Sequence, residues 1–201
     1  MISALRLSDV TLERGGRVLV AGLSAQVAAG EALAVTGANG AGKTSLLRAI
    51  AGFLRPAAGA IVFEGAADSG EARRRDCHLL GHLDGLKTAR TAREELVFQT
   101  RWSGADESAA VSAAERLGLA RQLPLEVRRL SAGQRRRLAL ARLVAAPRSL
   151  WLLDEPLAPL DAAGRVLMGE IMAEHLARGG LIVAAVHDPL PVAAQALEIG
   201  G

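Results

Sequence analysis

Tyrosine is missing from the chain, and aromatic residues make up only 2% of it, two tryptophans and three phenylalanines. A flat ligand would therefore need some other platform to stack on. Cysteine occurs once, as Cys77, which excludes an internal disulfide and suits a reducing compartment. Because "HLL" follows it, Cys77 reads as a small buried residue rather than a nucleophile. Lysine is nearly absent too: Lys43 and Lys87 stand alone in a basic complement otherwise made of arginine. The balance of 24 basic against 21 acidic residues leaves a net charge of +3, too mild to argue for nucleic acid. No stretch reaches the roughly 18 uncharged apolar residues of a membrane span; "LALARLVAA" is the best and carries Arg142. "MISALRLSDV" has neither the apolar centre nor the cleavage site of a signal peptide, so a soluble chain is expected, one that can sit against a membrane partner.

What is present is apolar and ordered. Half of the 201 residues are hydrophobic, enough to bury a core in one domain with a subdomain inserted. There is no internal repeat and no low-complexity linker. The first thirty residues read as short strands: "ALRLSDVTL" alternates, "RGGR" is a hairpin turn, and "RVLVAGLSAQV" supplies two more strands. "EALAVTG" is a buried strand, a helix follows from Lys43 to about Ala51, and "GAIVFEG" is a further strand. From about Glu71 to Pro147 the pattern turns helical, with "TAREELVFQTRW", "ESAAVSAAERLG" and "SAGQRRRLALARLVAA", the last N-capped by Ser131. Arg73–Arg75 reads as a surface turn, and Arg135–Arg137 as a solvated helix start. "SLWLLDEP" and "LIVAAVHD" are buried strands flanking the helix "DAAGRVLMGEIMAEHLARGG". Apolar runs without alternation indicate strands covered on both faces, hence a parallel α/β sheet. Function then belongs at the carboxyl ends of those strands, where Gly37, Asp154 and His187 fall.

Three motifs carry chemistry. Gly37-Ala38-Asn39-Gly40-Ala41-Gly42-Lys43-Thr44 matches G-x-x-x-x-G-K-[ST] in full, with Ser45 following, between a strand and a helix as the motif requires. Its glycines let backbone N–H groups face a phosphate, Lys43 adds a point charge, Thr44 offers a hydroxyl to Mg²⁺, and the helix points its positive end at the anion. This indicates a nucleoside triphosphate. In "LWLLDEP", Asp154 emerges at the tip of a buried strand, placed to hold the Mg²⁺ shell, and Glu155 follows, placed to polarise a water. In "LSAGQ", Leu130-Ser131-Ala132-Gly133-Gln134, a second helix start offers its N–H groups to an anion, which suggests a phosphate held between two molecules.

"LSAGQ", then "RRRLALARLVAAP", then "LWLLDEP" resemble the signature region of the ATP-binding cassette (ABC) ATPases, and the motifs follow that family's order over nearly the whole chain. The resemblance implies an α/β P-loop NTPase with a RecA-like core sheet, an N-terminal antiparallel β-subdomain and an inserted helical subdomain. Residues 1–201 would form one ABC ATPase domain, with its core at about 1–75 and 148–201 and the helical subdomain at about 76–147. It implies ATP and Mg²⁺, and a head-to-tail homodimer that sandwiches two ATP molecules. Asp161 in "LAPLD" matches the D-loop, although Pro159 departs from the usual small residue; His187 matches the switch histidine that meets the γ-phosphate. Two further departures appear. Leu83, in "LLGHLDGLKT", stands where the family places a glutamine, so His82 or Asp84 substitutes or water fills the metal shell. Arg14 stands near the position of the aromatic that stacks on adenine, and a guanidinium plane can serve there.

"LLGHLDGLKTARTAREEL" further resembles the cytochrome c maturation group of the family, the haem-exporter ATP-binding subunits, with Glu95 where that group often has asparagine. That narrower resemblance implies an ATPase, a translocase, seated peripherally on the cytoplasmic face of a bacterial inner membrane. Its partners would be integral membrane subunits and, through them, haem and a haem chaperone, with no direct nucleic acid. The alternatives are an importer or lipoprotein-release ATPase, and a soluble ABC ATPase acting on nucleic acid.

Overall fold

The computed structural model describes residues 2–200. In chain order the elements are β1 (Ala4–Arg14), β2 (Arg17–Ala28), β3 (Ala32–Thr36), α1 (Lys43–Ile50), β4 (Ala58–Glu64), α2 (Ser69–Asp76) and β5 (Cys77–Leu80). There follow α3 (Ala92–Trp102), α4 (Glu107–Arg116), α5 (Ala132–Ala145), β6 (Leu150–Asp154), α6 (Ala162–Ala177), β7 (Leu181–Ala185) and β8 (Gln195–Glu198). Two compact units result: one takes residues up to 79, 148–155 and those from 169 on, and the other takes 80–147 and 156–168.

The first unit holds two sheets. β1 pairs antiparallel with β2 and with β4, in the order β2-β1-β4. The second sheet has the order β5-β6-β7-β3-β8, and β3 runs parallel to both its neighbours, as β6 does to β7. All five residues of β6 and of β7 are buried, as their unbroken apolar runs predict for strands covered on both faces. Leu5, Leu7 and Leu12 of β1, Val35 of β3, Leu46, Leu47 and Ile50 of α1, Phe63 of β4, Leu152 of β6 and Val183 of β7 join one core. Truncating either α1 leucine to alanine would cost about 2–5 kcal/mol.

Four local readings are corrected here. Cys77–Leu80, within the stretch expected to be helical, is the strand β5. The segment expected to give two short strands is the single twelve-residue β2. Gly22, at φ 59°, bulges it without ending it, and its N–H finds Thr11 Oγ1 at 3.1 Å. The expected turn at Arg73–Arg75 is the last part of helix α2, started by Asp68 capping the Glu71 N–H at 2.7 Å. Arg73 is not merely on the surface: its guanidinium lies 5.0 Å from the Phe63 ring centre, and its Nε donates to Ile50 O at 2.9 Å. β8 was not foreseen; its residues are largely exposed, so no apolar pattern announces it, and the ladder to β3 holds it.

The second unit is helical. Thr91 and Glu94 close a capping box at the head of α3, Asp106 caps α4, and Ser131 with Gln134 closes a box on α5. Small residues of α4 (Ala110, Ala113 and Ala114) are buried there, beside Leu117 and Leu119. Glu95, only 1% exposed, is balanced by Arg90 at 3.1 Å and by Gln99 at 2.6 Å. A carboxylate where the resemblance expects asparagine is therefore fully partnered within this unit.

Candidate nucleotide site

The first unit brings Gly37–Ser45, Asp154, Glu155 and His187 together at the carboxyl ends of β3, β6 and β7. Gly37 (φ 137°) is required by a close approach: a Cβ there would stand 2.2 Å from the Ile199 carbonyl oxygen. Ala38, Asn39 and Gly40 form the exposed arch of the loop, and Ala41 is half-buried. Gly42 begins α1 in the left-handed region (φ 106°), where a Cβ would sit 3.1 Å from Val20 and 3.2 Å from Leu19 of β2. The loop is thus shaped by contacts on its protein side and left open on the other.

The start of α1 differs from the other helix starts. Side chains cap α2, α3, α4 and α5, and Asp161 accepts from the Gly164 N–H at 2.8 Å in the first turn of α6. Gly42 offers α1 no side-chain cap, and no acidic residue lies in its first turn. Its leading N–H groups are therefore not taken up by a side-chain cap of the kind the other helices have. Lys43 is 8% exposed and turns its ammonium onto its own loop, with Nζ donating to Gly37 O at 2.7 Å and Ala38 O at 3.1 Å. Ser45 is buried next to it.

Thr44 Oγ1 donates to Asp154 Oδ2 at 2.8 Å, across 110 residues of sequence. Two oxygens in neighbouring corners of an octahedral Mg²⁺ shell, with bonds of about 2.0–2.1 Å, lie about 3 Å apart. The Thr44–Asp154 pair has that spacing, and its hydroxyl and carboxylate are the hard donors Mg²⁺ takes. Glu155 adopts φ 48°, one of two non-glycine residues with positive φ among those described. The other, Asp9, sits in the β1–β2 bulge with its N–H bonded to Ser24 Oγ at 2.9 Å. Glu155 is held in this disfavoured conformation by its N–H donating to Ala185 O at 3.0 Å, and its Oε1 lies 3.5 Å from His187 Nε2. The His187 side chain is 53% exposed and that of Glu155 21%, so the pair borders solvent at the strand ends. Arg14 is exposed beside the Gly15–Gly16 turn of the β1–β2 hairpin, whose second strand supplies the Leu19 and Val20 contacts to Gly42.

The remaining expected residues lie in the second unit. Leu130 is buried, Ser131 and Ala132 are exposed, and Gly133 and Gln134 are half-buried. Ser131 Oγ accepts from the Gln134 N–H at 3.2 Å, and Gln134 Oε1 accepts from the Ser131 N–H at 2.9 Å. The serine hydroxyl proton is left available for another acceptor. A Cβ on Gly133 would come 3.0 Å from Pro159 O, so the signature and D-loop segments touch within one chain. Asp161 is engaged as the cap of α6.

Leu83 is 83% exposed. Of the two proposed substitutes, His82 is exposed and Asp84 is bound elsewhere, by Arg136 Nη1 at 3.0 Å. Arg136 itself corrects the reading of the arginine run as a solvated helix start: it is 1% exposed, while Arg135 and Arg137 are half-buried and donate to Leu130 O at 2.6 Å and Leu117 O at 3.2 Å. A sequence signal existed, since Leu140 and Leu143, four and seven residues on, put Arg136 on the inward stripe of α5. Cys77 is buried, and burial together with Asp76 pushes its thiol up to about 12, so it stays protonated and unreactive.

The profile of the ABC transporter family matches residues 20–158. The chain belongs to this family: it is an ABC ATPase, an α/β P-loop protein with an antiparallel β-sheet, a parallel core sheet and a helical unit. Among curated proteins it is 52% identical over 188 residues, 94% of each chain, to the cytochrome c biogenesis ATP-binding export protein CcmA of Rhodopseudomonas palustris strain BisB18. It is 48% identical to the CcmA of Bradyrhizobium diazoefficiens, again over 94% of each chain. The fold superposes on an ABC transporter ATP-binding protein from Pyrococcus furiosus with a TM-score of 0.86, at 20% identity and 98% coverage of both chains. It also superposes on a dimeric ATP-binding cassette in a post-hydrolysis state bound to ADP and Pi, with a TM-score of 0.77, 22% identity, and coverage of 92% of this chain and 88% of that one.

Proposed function

We propose that the chain is the ATP-hydrolysing subunit of a membrane ABC complex that serves cytochrome c biogenesis by haem export, working as a homodimer with Mg·ATP. The observation that carries the reading is the uncapped start of α1 beside the Thr44–Asp154 pair: a triphosphate fits the bare helix end, and Mg²⁺ fits the two oxygens. The relatives named CcmA support the pathway, and the dimeric relative bound to ADP and Pi supports the pairing.

On ATP binding the Lys43 ammonium exchanges the Gly37 and Ala38 carbonyls for phosphate oxygens. Thr44 and Asp154 would hold Mg²⁺, which neutralises charge on the β- and γ-phosphates when bound. The terminal phosphate is completed by the Ser131–Gln134 segment of a second copy, whose serine proton is free to donate. Glu155 orients a water and accepts its proton. The water oxygen bonds to the γ-phosphorus as the bond to the bridging oxygen breaks, and ADP leaves with that electron pair. His187, next to Glu155, donates to the transferring group. Among the described residues no helix is long and apolar enough to cross a membrane, so anchoring falls to integral membrane partners on the inner membrane. The exposed Phe98 and Trp102 of α3 are apolar surface suited to such a partner. Purification of the tagged chain from detergent-solubilised membranes tests the reading. Co-purifying membrane subunits with bound haem and a haem chaperone are expected; a complex with another cargo would redirect it to an importer or lipoprotein-release system.

A further inference from the structure

The geometry points to Arg136 as a positioning residue for hydrolysis: it ties the loop after β5 to the signature helix and to the peptide following Glu155, in place of a side-chain link from Leu83 to the nucleotide. The inference rests on the ATPase reading above. An arginine that is 1% exposed has to satisfy a planar set of donors without water. Nε donates to Pro156 O at 3.1 Å, and Nη1 donates to Gly81 O at 3.0 Å and to Asp84 Oδ1 at 3.0 Å. One guanidinium on α5 therefore reaches two segments that are far apart in sequence, the 81–84 loop and the peptide at Pro156. Gly81 and Asp84 bracket Leu83, so the loop is fixed on both sides of the residue whose own side chain is 83% exposed. Pro156 follows directly on Glu155, and it can take part only through its carbonyl. Arg136 is itself one residue past the Ser131–Arg135 turn that begins α5.

The chemistry explains why arginine is used. A lysine ammonium is a point charge on a flexible stem, whereas the guanidinium fork fixes the directions of its donors relative to one another. A shift of the peptide after Glu155 must therefore either move the 81–84 loop with it or break a buried hydrogen bond. Asp84 contributes the countercharge that orients the fork. This accounts for Leu83 and Asp84 together: a leucine that cannot bind the nucleotide's metal is followed by an acid that binds the signature helix.

The test uses the full-length chain and the Arg136→Lys, Asp84→Asn and doubly substituted variants. Asp84 is partly exposed, so Asp84→Asn preserves shape at little risk to folding. Expected are a fall of about 3- to 30-fold in kcat for each single variant, with KM for ATP within twofold of the parent, and a double variant no worse than the poorer single one. Amide exchange at residues 80–87 should respond to a non-hydrolysable ATP analogue in the parent and lose that response in both single variants. Unchanged kcat and unchanged nucleotide-dependent exchange would overturn the positioning role, and so would a uniform loss of thermal stability with normal kcat per folded molecule. A parent chain that neither binds nor hydrolyses ATP would instead overturn the ATPase reading.

Discussion

Replacing Lys43 by alanine removes a charge that the structure shows balanced on two carbonyls, Gly37 O at 2.7 Å and Ala38 O at 3.1 Å. In the empty chain the loss is modest. Ala38 is exposed and Gly37 half-buried, so water can replace the ammonium at both acceptors. A net cost near 1 kcal/mol lowers Tm by about 2–4 °C in a domain of this length. In the proposed complex with ATP the balance changes, because the ammonium would leave neutral carbonyls for phosphate oxygens, and hydrogen bonds to charged groups are worth about 1.5–3 kcal/mol. The variant should therefore bind ATP about 10- to 100-fold more weakly. Calorimetric titration with ATP, with and without Mg²⁺, reads that change. Melting curves at fixed ATP give an independent measure, since stabilisation follows the ratio of ligand to Kd. A Kd within twofold of the parent, in a variant that melts within a few degrees of it, would refute the phosphate role of Lys43.

Glu155→Gln keeps the side chain's shape but removes the proposed proton acceptor; turnover should fall by about 10²–10⁴ while ATP binding persists, and gel filtration with Mg·ATP should show a trapped dimer. Ser131→Arg should leave ATP affinity intact yet abolish that dimer, because Ser131 is exposed and its proposed role is on a second copy; persistence of the dimer would remove the sandwich. His175 stacks on Trp151 with ring centres 3.8 Å apart, and burial holds its pKa below the ordinary 6.5. The unfolded chain therefore takes up a proton on acidification before the folded one does, so stability should be flat above pH 6.5 and decline below it, and His175→Phe should flatten that decline in pH-dependent melts. Cys77, whose thiol is pushed up to about 12, should resist maleimide at neutral pH in the folded chain and react only under denaturant.

The glycine-rich loop and the place of Asp154 at a strand end were legible because the motif fixes residue types at fixed spacing, and the buried strands β3 and β6 announce themselves as apolar runs that end next to Gly37 and at Asp154. Ser131 was legible as a cap for the same reason that it caps: a short hydroxyl before a helix. Arg136 was missed because composition makes a run of three arginines look solvated, and nothing local reveals that Gly81, Asp84 and Pro156 converge on one of them. β8 was missed because an exposed edge strand is specified by backbone pairing rather than by side-chain burial. The expected pair of strands in "RVLVAGLSAQV" is one strand bulged at Gly22, whose N–H is held by Thr11 of the partner strand.

The Gly37 contact has a consequence for how the protein is made. The strand that launches the phosphate loop lies between β7 and β8, and the loop's first glycine packs on the Ile199 carbonyl while Gly200 lies against Ala41. A growing chain has synthesised the whole loop by residue 44 but lacks its two flanking strands until residues 181–185 and 195–198 have been made. The loop therefore acquires the packing that shapes it only after residues 195–200 have been made, and a shorter nascent segment carries the motif without its flanking strands.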